Sequence, residues 1–255
     1  SYSQVISNEW VSEITSRANM VEYTRNYSVA ANISKARSAT ISYTMVVNDS
    51  TSITEAVTIN QEQGTTTGDM SKTAMDIAAL MYPGWNLGNT MEAGNSANNW
   101  KNAGIGSETL WQSAKTTQQL IDLVKASGFK SVRIPCSWVM GHITDAEACT
   151  IDADWLARVH EVVDYCIKND LYVIINQHWD GGWIEHDGLT AATDVDATKA
   201  KLTKIWTQIA NSFKNYDERL IFAGMNEPGV GAGDANALLG TADLANRIAE
   251  YEQTF

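Results

Sequence analysis

The chain has few cysteines, prolines, histidines and basic residues. In 255 residues there are 3 Cys, 3 Pro and 4 His, and 18 basic side chains stand against 30 acidic ones. Cys136, Cys149 and Cys166 are odd in number and show no C-x-x-C spacing, which argues against a disulfide framework and a zinc site. The dispersed histidines point the same way, so neither metal nor cofactor is expected. A net charge of −12 argues against nucleic acid, whose phosphates demand a basic surface, and against an anionic membrane surface. No run approaches the ~18 apolar residues of a membrane span. No basic-then-apolar leader stands at Ser1, although a secreted protein looks the same once its leader is cut away. What is present is a 44% hydrophobic content, enough for one large domain or a large and a small one.

Residues 1–64 contain no proline and are rich in Ser, Thr, Asn and Val. "NYSVAANI", "SATISYTMVV" and "EAVTINQEQG" read as short alternating strands separated by polar turns such as "NDSTS". This pattern predicts a small antiparallel β-sandwich with an incomplete set of strands.

From residue 65 the pattern changes. "SKTAMDIAALM" (71–81) predicts a helix, and "GWNLGN" a short strand with polar residues at its end. "TTQQLIDLVKASG" (116–128) is a helix stopped by Gly128, and "FKSVRIP" (129–135) a strand closed by Pro135. Residues 152–170 form a helix opened by an Asp cap, and "LYVIINQHW" (171–179) is a near-continuous apolar strand. "KLTKIWTQIANSF" (201–213) is a helix, and "DLANRIAEYEQTF" begins another. Strand–helix order repeats four times, which predicts a parallel α/β sheet. No G-x-G-x-x-G follows the first strand, so a dinucleotide fold is not expected.

The fourth strand, in "LIFAGMNEPGVG" (220–231), runs from Leu220 to Ala223 into Asn226 and Glu227, and Pro228 ends it. On its own an Asn-Glu-Pro triplet also fits a capped loop with a solvated carboxylate. The other strands end in polar or aromatic residues too: Asn86 and Asn89; Arg133 and Trp138; His178 and Trp179. A β/α barrel gathers all strand tips on the face that carries its active site. A mouth of Trp, Asn, His, Arg and acids without a phosphate loop suits a sugar polymer, because tryptophan stacks on pyranose faces while amides and carboxylates take the hydroxyls. Glu227 suits the proton donor that glycoside hydrolysis needs, and Asn226 a sugar hydroxyl beside the scissile bond. Arg133 and His178 suit the site's hydrogen-bond network.

"GWNLGNTMEA" (84–93), "VRIPCSW" (132–138), "VIINQHWDGGW" (173–183) and "FAGMNEP" (222–228) together resemble glycoside hydrolase family 5, and within it bacterial endo-β-1,4-glucanases. The resemblance covers about residue 70 to 255, as the first half of a (β/α)8 barrel. It implies Glu227 as general acid/base in a retaining mechanism and Asn226, Arg133 and His178 as its companions. It also implies Asn89 and Glu92 at the glycone subsites and His142 near the cleavage point. Trp179 is a departure, since many members carry a second histidine there. Residues 1–64 resemble the later part of a BACON domain, of a kind that precedes secreted or cell-surface hydrolases.

Trp138, Trp179 and Trp183 are either core aromatics or subsite residues, and the resemblance favours subsites. His160 is expected on a helix surface, and Glu185, His186 and Asp187 in a solvated loop. Cys136 is expected in the core. The family's second carboxylate, the nucleophile, comes from a seventh strand, and no glutamate of this chain matches its motif. Three expectations follow for the chain as written. It is part of a β-glucan hydrolase, or a glucan-binding module without activity, or a half-barrel that self-associates into a homodimer through open sheet edges.

Overall fold

Apolar residues alternate with polar ones along 39–45 (Ala39, Ile41, Tyr43, Met45), the pattern of a half-buried antiparallel strand. The computed structural model describes residues 2–6, 11–18, 23–29, 37–48, 51–61, 69, 71–94, 104–229 and 239–255. Two compact units emerge, Ser1–Thr66 and Thr67–Phe255. In the first, β1 (Tyr2–Ile6), β4 (Arg37–Asn48) and β5 (Thr51–Gln61) form one antiparallel sheet with β4 in the middle. A second pair joins β2 (Val11–Ala18) to β3 (Tyr23–Val29). Ala39 and Ile41 of β4 are 2% exposed, and Ile6, Tyr27, Tyr43 and Ile59 pack against them. The alternation Ala39, Ile41, Tyr43 places one face of β4 inward, as a period of two requires.

The second unit opens with α1 (Ala74–Leu80). Thr73 starts this helix because its hydroxyl accepts from the Asp76 N–H while the Asp76 carboxylate accepts from the Thr73 N–H, a reciprocal cap. Then come β6 (Gly84–Asn86), α2 (Gln118–Ala126) and β7 (Ser131–Ile134). A short hairpin, β8 (Ile143–Asp145) with β9 (Thr150–Ile151), precedes α3 (Ala153–Ile167). β10 (Tyr172–Asn176), α4 (Val195–Phe213), β11 (Leu220–Ala223) and α5 (Thr241–Thr254) complete it. Thr117, Asp152 and Asp194 each cap the helix that follows by accepting backbone N–H groups.

β6, β7, β10 and β11 lie side by side in chain order, all parallel. A doubly wound sheet reverses its strand order part-way, and this sheet does not. Val132 and Ile134 of β7 and Val173 and Ile175 of β10 are fully buried. Phe222 of β11 lies on the same face and meets Trp206 and Phe213 of α4. The α3 and α4 stripes, Val159, Val163, Cys166, Leu202, Ile205 and Ile209, are also fully buried. Each such side chain contributes roughly 1.5–3 kcal/mol of transfer free energy, so truncating Ile175 to alanine costs about 2–5 kcal/mol. The opposite sheet face, with Arg133 and Ile174, is half-buried.

Three expectations change. The fourth long helix starts at Val195 rather than 201, because its first turn is polar and carries no apolar period. The β8–β9 hairpin is too short to register in the pattern; Asp145 turns it by accepting from the N–H groups of Glu147 and Ala148. His160 is not at the surface. It is 3% exposed, stacked on Phe213 at 3.8 Å, with its ring nitrogens 2.6 Å from Ser212 Oγ and 3.1 Å from Tyr216 Oη. Its position on α3 faces α4, where a flat ring with two polar atoms packs as well as an aliphatic one.

Candidate active site

Arg133 stands near the end of β7, on the half-buried face of the sheet, and its guanidinium spans all four strands. One nitrogen donates to Asn86 Oδ1 (3.1 Å) at the tip of β6, and another to Asn226 Oδ1 (2.6 Å) just beyond β11. The second also lies 3.4 Å from His178 Nδ1, beyond β10. The planar fork of arginine fits this three-way task, which a lysine point charge does not. Asn176 Nδ2 also approaches His178 Nδ1, at 3.2 Å. Both neighbours are donors only, so Nδ1 accepts and the proton of a neutral ring sits on Nε2. Burial and the charge of Arg133 hold His178 down at about 4, against the opposing pull of Glu227, so the ring is neutral at ordinary pH. The strand tips thus present a neutral imidazole N–H, an oriented amide and a carboxylate.

Glu227 follows Asn226 directly, and its backbone has φ of +28°, in the region L residues avoid. It also precedes Pro228, which narrows its freedom further. Strain of this kind persists only where neighbours fix the backbone. Here Gly229 N–H donates to Glu185 O at 2.7 Å, and Gly229 itself has φ of +84°. The turn therefore fixes the backbone that carries the carboxylate.

The loop after β10 is fastened by Asp180. This residue is 1% exposed and has φ of +52°. Its carboxylate accepts three successive backbone N–H groups: Trp138 (3.1 Å), Val139 (2.9 Å) and Met140 (2.6 Å). Gln177 Nε2 and Trp183 Nε1 add two more donors, at 2.5 and 3.3 Å. Burial pushes the Asp180 carboxyl up, while these donors act to lower it. Asp180 thereby joins the loop after β7 to the loop that carries Trp179 and Trp183. The Trp179 ring is half-buried over Gly182, where an added Cβ would sit 2.8 Å from it. Trp183 is half-buried too, with Lys201 Nζ 4.2 Å above its ring.

The model of the cellulase family, glycosyl hydrolase family 5, matches residues 92–255. The chain belongs to glycoside hydrolase family 5. Endoglucanase B of Clostridium cellulovorans is 43% identical over 184 residues, which are 71% of this chain and 38% of that protein. A xyloglucan-specific β-1,4-glucanase of the family from a ruminal metagenomic library, solved with XXLG, is 45% identical with a TM-score of 0.62, and covers 72% of this chain and 47% of that one. The Bacteroides ovatus family 5 xyloglucanase, solved with an XXXG heptasaccharide, is 28% identical with a TM-score of 0.64, and covers 100% of this chain and 55% of that one. The chain thus spans about half the length, or less, of the relatives it matches. These neighbours imply a fold of the (β/α)8 barrel type, to which the parallel sheet in chain order conforms.

In this family 5 chain the expected site residues divide. Arg133, His178, Asn226 and Glu227 gather at the strand tips. Asn89, exposed with φ of +62°, and Glu92 close the loop after β6: the Glu92 carboxylate accepts the N–H groups of Asn89 (2.5 Å) and Thr90 (2.9 Å). Glu92, expected at a glycone subsite, is 7% exposed and spends both oxygens on its own loop. Trp138, expected on a subsite, is a core residue. It is 0% exposed, and its indole N–H donates to Asn176 O at 2.8 Å. His142 is 1% exposed and stacks on Trp155 at 3.8 Å, away from the Arg133 cluster in its hydrogen bonding. Its burial holds it down at about 4.

Glu185 was expected in solvent and is 2% exposed. Burial and the nearby charge of Glu227 push its carboxyl up to about 8. Asn86, named among the strand-tip residues, joins the site's framework, and Asn176 and Asp180 join it as well. The signal for Asp180 was its place directly after the His-Trp strand tip. Glu185, nine residues beyond the end of β10, carried none.

Proposed function

We propose that this chain is the acid/base-bearing part of an endo-acting, retaining hydrolase of β-1,4-linked glucans: cellulose, mixed-linkage glucan or xyloglucan. The observation that carries the reading is Glu227 on a strained turn beside an Asn226 held by Arg133, with a neutral His178 in the same network. Glu227 gives its proton to the glycosidic oxygen as the bond breaks. It later takes a proton from the water that releases the sugar. The Asn226 amide, fixed through its oxygen, offers its N–H2 to a hydroxyl beside that bond. The neutral His178 offers Nε2–H without adding positive charge. The nucleophile, about 5–5.5 Å from the acid/base in retaining enzymes, is assigned to a residue beyond these 255, in the other half of the barrel. The partial coverage of the relatives reported above supports that assignment. Trp179 and Trp183 are assigned to sugar stacking.

A polymer too large to enter a cell supports a secreted, periplasmic or surface location. The two small sheets of the first unit, with β3 meeting β4 through Tyr27 and Tyr43 (Oη–Oη 2.5 Å), support the BACON-like sandwich reading and contribute no catalytic group. Glu227→Gln in the full-length enzyme tests the proposal. Polymer hydrolysis is expected to fall by about 10²–10⁴, the usual worth of general acid–base catalysis, and far less on aryl glycosides whose leaving groups need no proton. Polymer activity close to that of the unsubstituted enzyme would overturn it.

A further inference from the structure

α4 opens against the loop that carries Trp183. Asp194, Ala197, Thr198 and Lys201 recur at helical spacing from its cap through its second turn, so they share one face. This face and the loop residues Trp183 and Asp187 line a groove of about 280 Å3. A helix that follows a parallel strand starts beside that strand's tip, so the groove opens at the same end of the sheet as the Arg133 cluster. Its residues are a separate set: among the described residues none of them hydrogen-bonds to Arg133, His178, Asn226 or Glu227.

The groove is built of fixed parts. The Trp183 indole N–H donates to Asp180 Oδ2 at 3.3 Å, and Lys201 Nζ lies 4.2 Å from the ring centroid. Thr193 Oγ1 donates to Asp187 O at 2.5 Å, and Thr198 Oγ1 to Asp194 O at 2.9 Å, so both hydroxyl protons are spent on the main chain. Other polar groups keep capacity. Asp187 uses Oδ1 on His186 Nδ1 (3.0 Å) and Asp194 uses Oδ1 on the Ala197 N–H (3.0 Å), which leaves one oxygen of each without a partner among the described residues. Lys201 Nζ has neither ion pair nor hydrogen bond among the described residues, although both carboxylates line the same groove.

We propose that this groove is a second sugar-binding site, which takes one pyranose ring of the β-glucan beside the strand-tip cluster, with Trp183 as its platform and Lys201, Asp187 and Asp194 on its hydroxyls. The unpaired groups decide the class of ligand. An anion drawn to Lys201 is pressed by two carboxylates, and a cation drawn to the carboxylates meets the ammonium. A neutral polyol satisfies both, because each hydroxyl accepts from the ammonium or donates to a carboxylate. The indole calls for an apolar face as well, and a pyranose has one. The volume falls just below the ~300–1,000 Å3 of sites for drug-sized ligands, which suits one ring rather than a length of chain.

That the ring belongs to a β-glucan rests on the function proposed above; that the groove takes a sugar does not. The full-length enzyme carrying Glu227→Gln is labelled with 5-fluorotryptophan and titrated with cellotetraose. The fluorine resonance of Trp183, assigned with Trp183→Phe, is expected to shift saturably with a Kd of about 1 mM, since one ring offers few contacts. The ring resonances of His178 report the strand-tip cluster and are expected to saturate at a different concentration. Adding Lys201→Met keeps the apolar stem and removes the ammonium. It is expected to weaken the Trp183 event about 10-fold, the worth of one charge-assisted hydrogen bond, and to leave the His178 midpoint within about 2-fold. No saturable shift at Trp183, a single midpoint shared with His178, or an unchanged Trp183 midpoint in Lys201→Met overturns the inference. A saturable shift of Trp183 by inorganic phosphate overturns it too, since the groove is then an anion site. If mannotetraose moves Trp183 while cellotetraose moves neither Trp183 nor His178, the sugar site stands and the β-glucan reading falls. Should Trp183→Phe not fold, the resonance is identified as the one that Lys201→Met moves in the free protein.

Discussion

Replacing Asp180 with asparagine removes one charge and one acceptor from the centre of the site's scaffold. The carboxylate has two oxygens and five donors: the N–H groups of Trp138, Val139 and Met140, Gln177 Nε2 and Trp183 Nε1. An asparagine keeps one oxygen. Placed at Oδ1, it retains Val139 (3.0 Å) and Met140 (2.6 Å). The new N–H2 then faces Trp138 N–H and Gln177 Nε2, donors against donors, in a place 1% exposed. Two or more buried N–H groups are stranded, each costing about 1–3 kcal/mol. The positive φ is no obstacle, since Asn tolerates it as well as Asp does. The expected loss is about 2–6 kcal/mol, a large share of the ~5–15 kcal/mol that holds a typical domain. Urea unfolding followed by tryptophan fluorescence measures it, because Trp138, Trp179 and Trp183 all sit on the joined loops. Residual folded protein is expected to bind oligosaccharide more weakly, since the loop carrying Trp179 and Trp183 has lost its fastening. Asp180→Glu tests charge against geometry: it keeps both oxygens but moves them by one methylene, and is expected to fall between. An Asp180→Asn protein within 1 kcal/mol of the parent, with unchanged binding, would refute the account of Asp180 as the pin between the two loops.

Stability against pH is expected to peak near 6.5. His142 and His178, both held down at about 4, lose stability as pH falls from 6.5, because the unfolded chain takes up protons that the native rings refuse. Glu185, pushed up to about 8, loses stability as pH rises from about 4.5, because the unfolded carboxyl ionises first. Above 6.5 the two histidines have little further effect while Glu185 still acts, so Glu185→Gln is expected to flatten the fall on the alkaline side in a pH series of melting temperatures. Glu108→Ala removes the two-pronged partner (2.7 and 2.8 Å) of the 7%-exposed Arg158, which keeps Glu161 at 2.6 Å, and is expected to cost less than the ~3–5 kcal/mol of a fully uncompensated buried charge in urea unfolding. The 255-residue chain alone is expected to self-associate in light scattering, since β6 and β11 each have a single strand neighbour among the described residues, and to bind glucan without hydrolysing it. A stable monomer, or hydrolysis of carboxymethyl-cellulose by it, would refute these last two.

The strands of the second unit were legible because chemistry punctuates them. The apolar run Leu220–Ala223 is β11, but the strand ends at Ala223, before Gly224, and not at Pro228, so Asn226 and Glu227 lie in the turn beyond it. β7 and β10 came out within two or three residues at each end, bounded by Pro135 and by the change to Asn176–Gln177–His178. What the sequence hid was burial in irregular backbone. "WIEHDG" reads as solvated because it has no period and many charges, yet Glu185 is buried by contacts with a turn some forty residues away in the chain. Trp138 failed in the other direction. A tryptophan at a strand tip looks like a sugar platform, and only the acceptor at Asn176 O shows that its ring points into the core.

These failures are not scattered. Of the five non-glycine residues with positive φ among the described residues, Asn89, Asp180 and Glu227 lie in loops that follow sheet strands at the candidate site, while Cys149 and Asp170 lie in turns elsewhere. The two buried acids beyond β10, Asp180 and Glu185, lie there too, and so does the neutral His178. Each breaks a local rule of backbone or solvation, and each is held by partners remote in sequence. A chain keeps such costs only where the surrounding structure fixes them and something is gained. The gain here is direction: Arg133 holds the Asn226 amide directly before Glu227, and the turn after it is tied to Glu185 O through the Gly229 N–H. The rules that make the barrel strands readable are suspended at the points where, on the proposed function, the chain aims a proton.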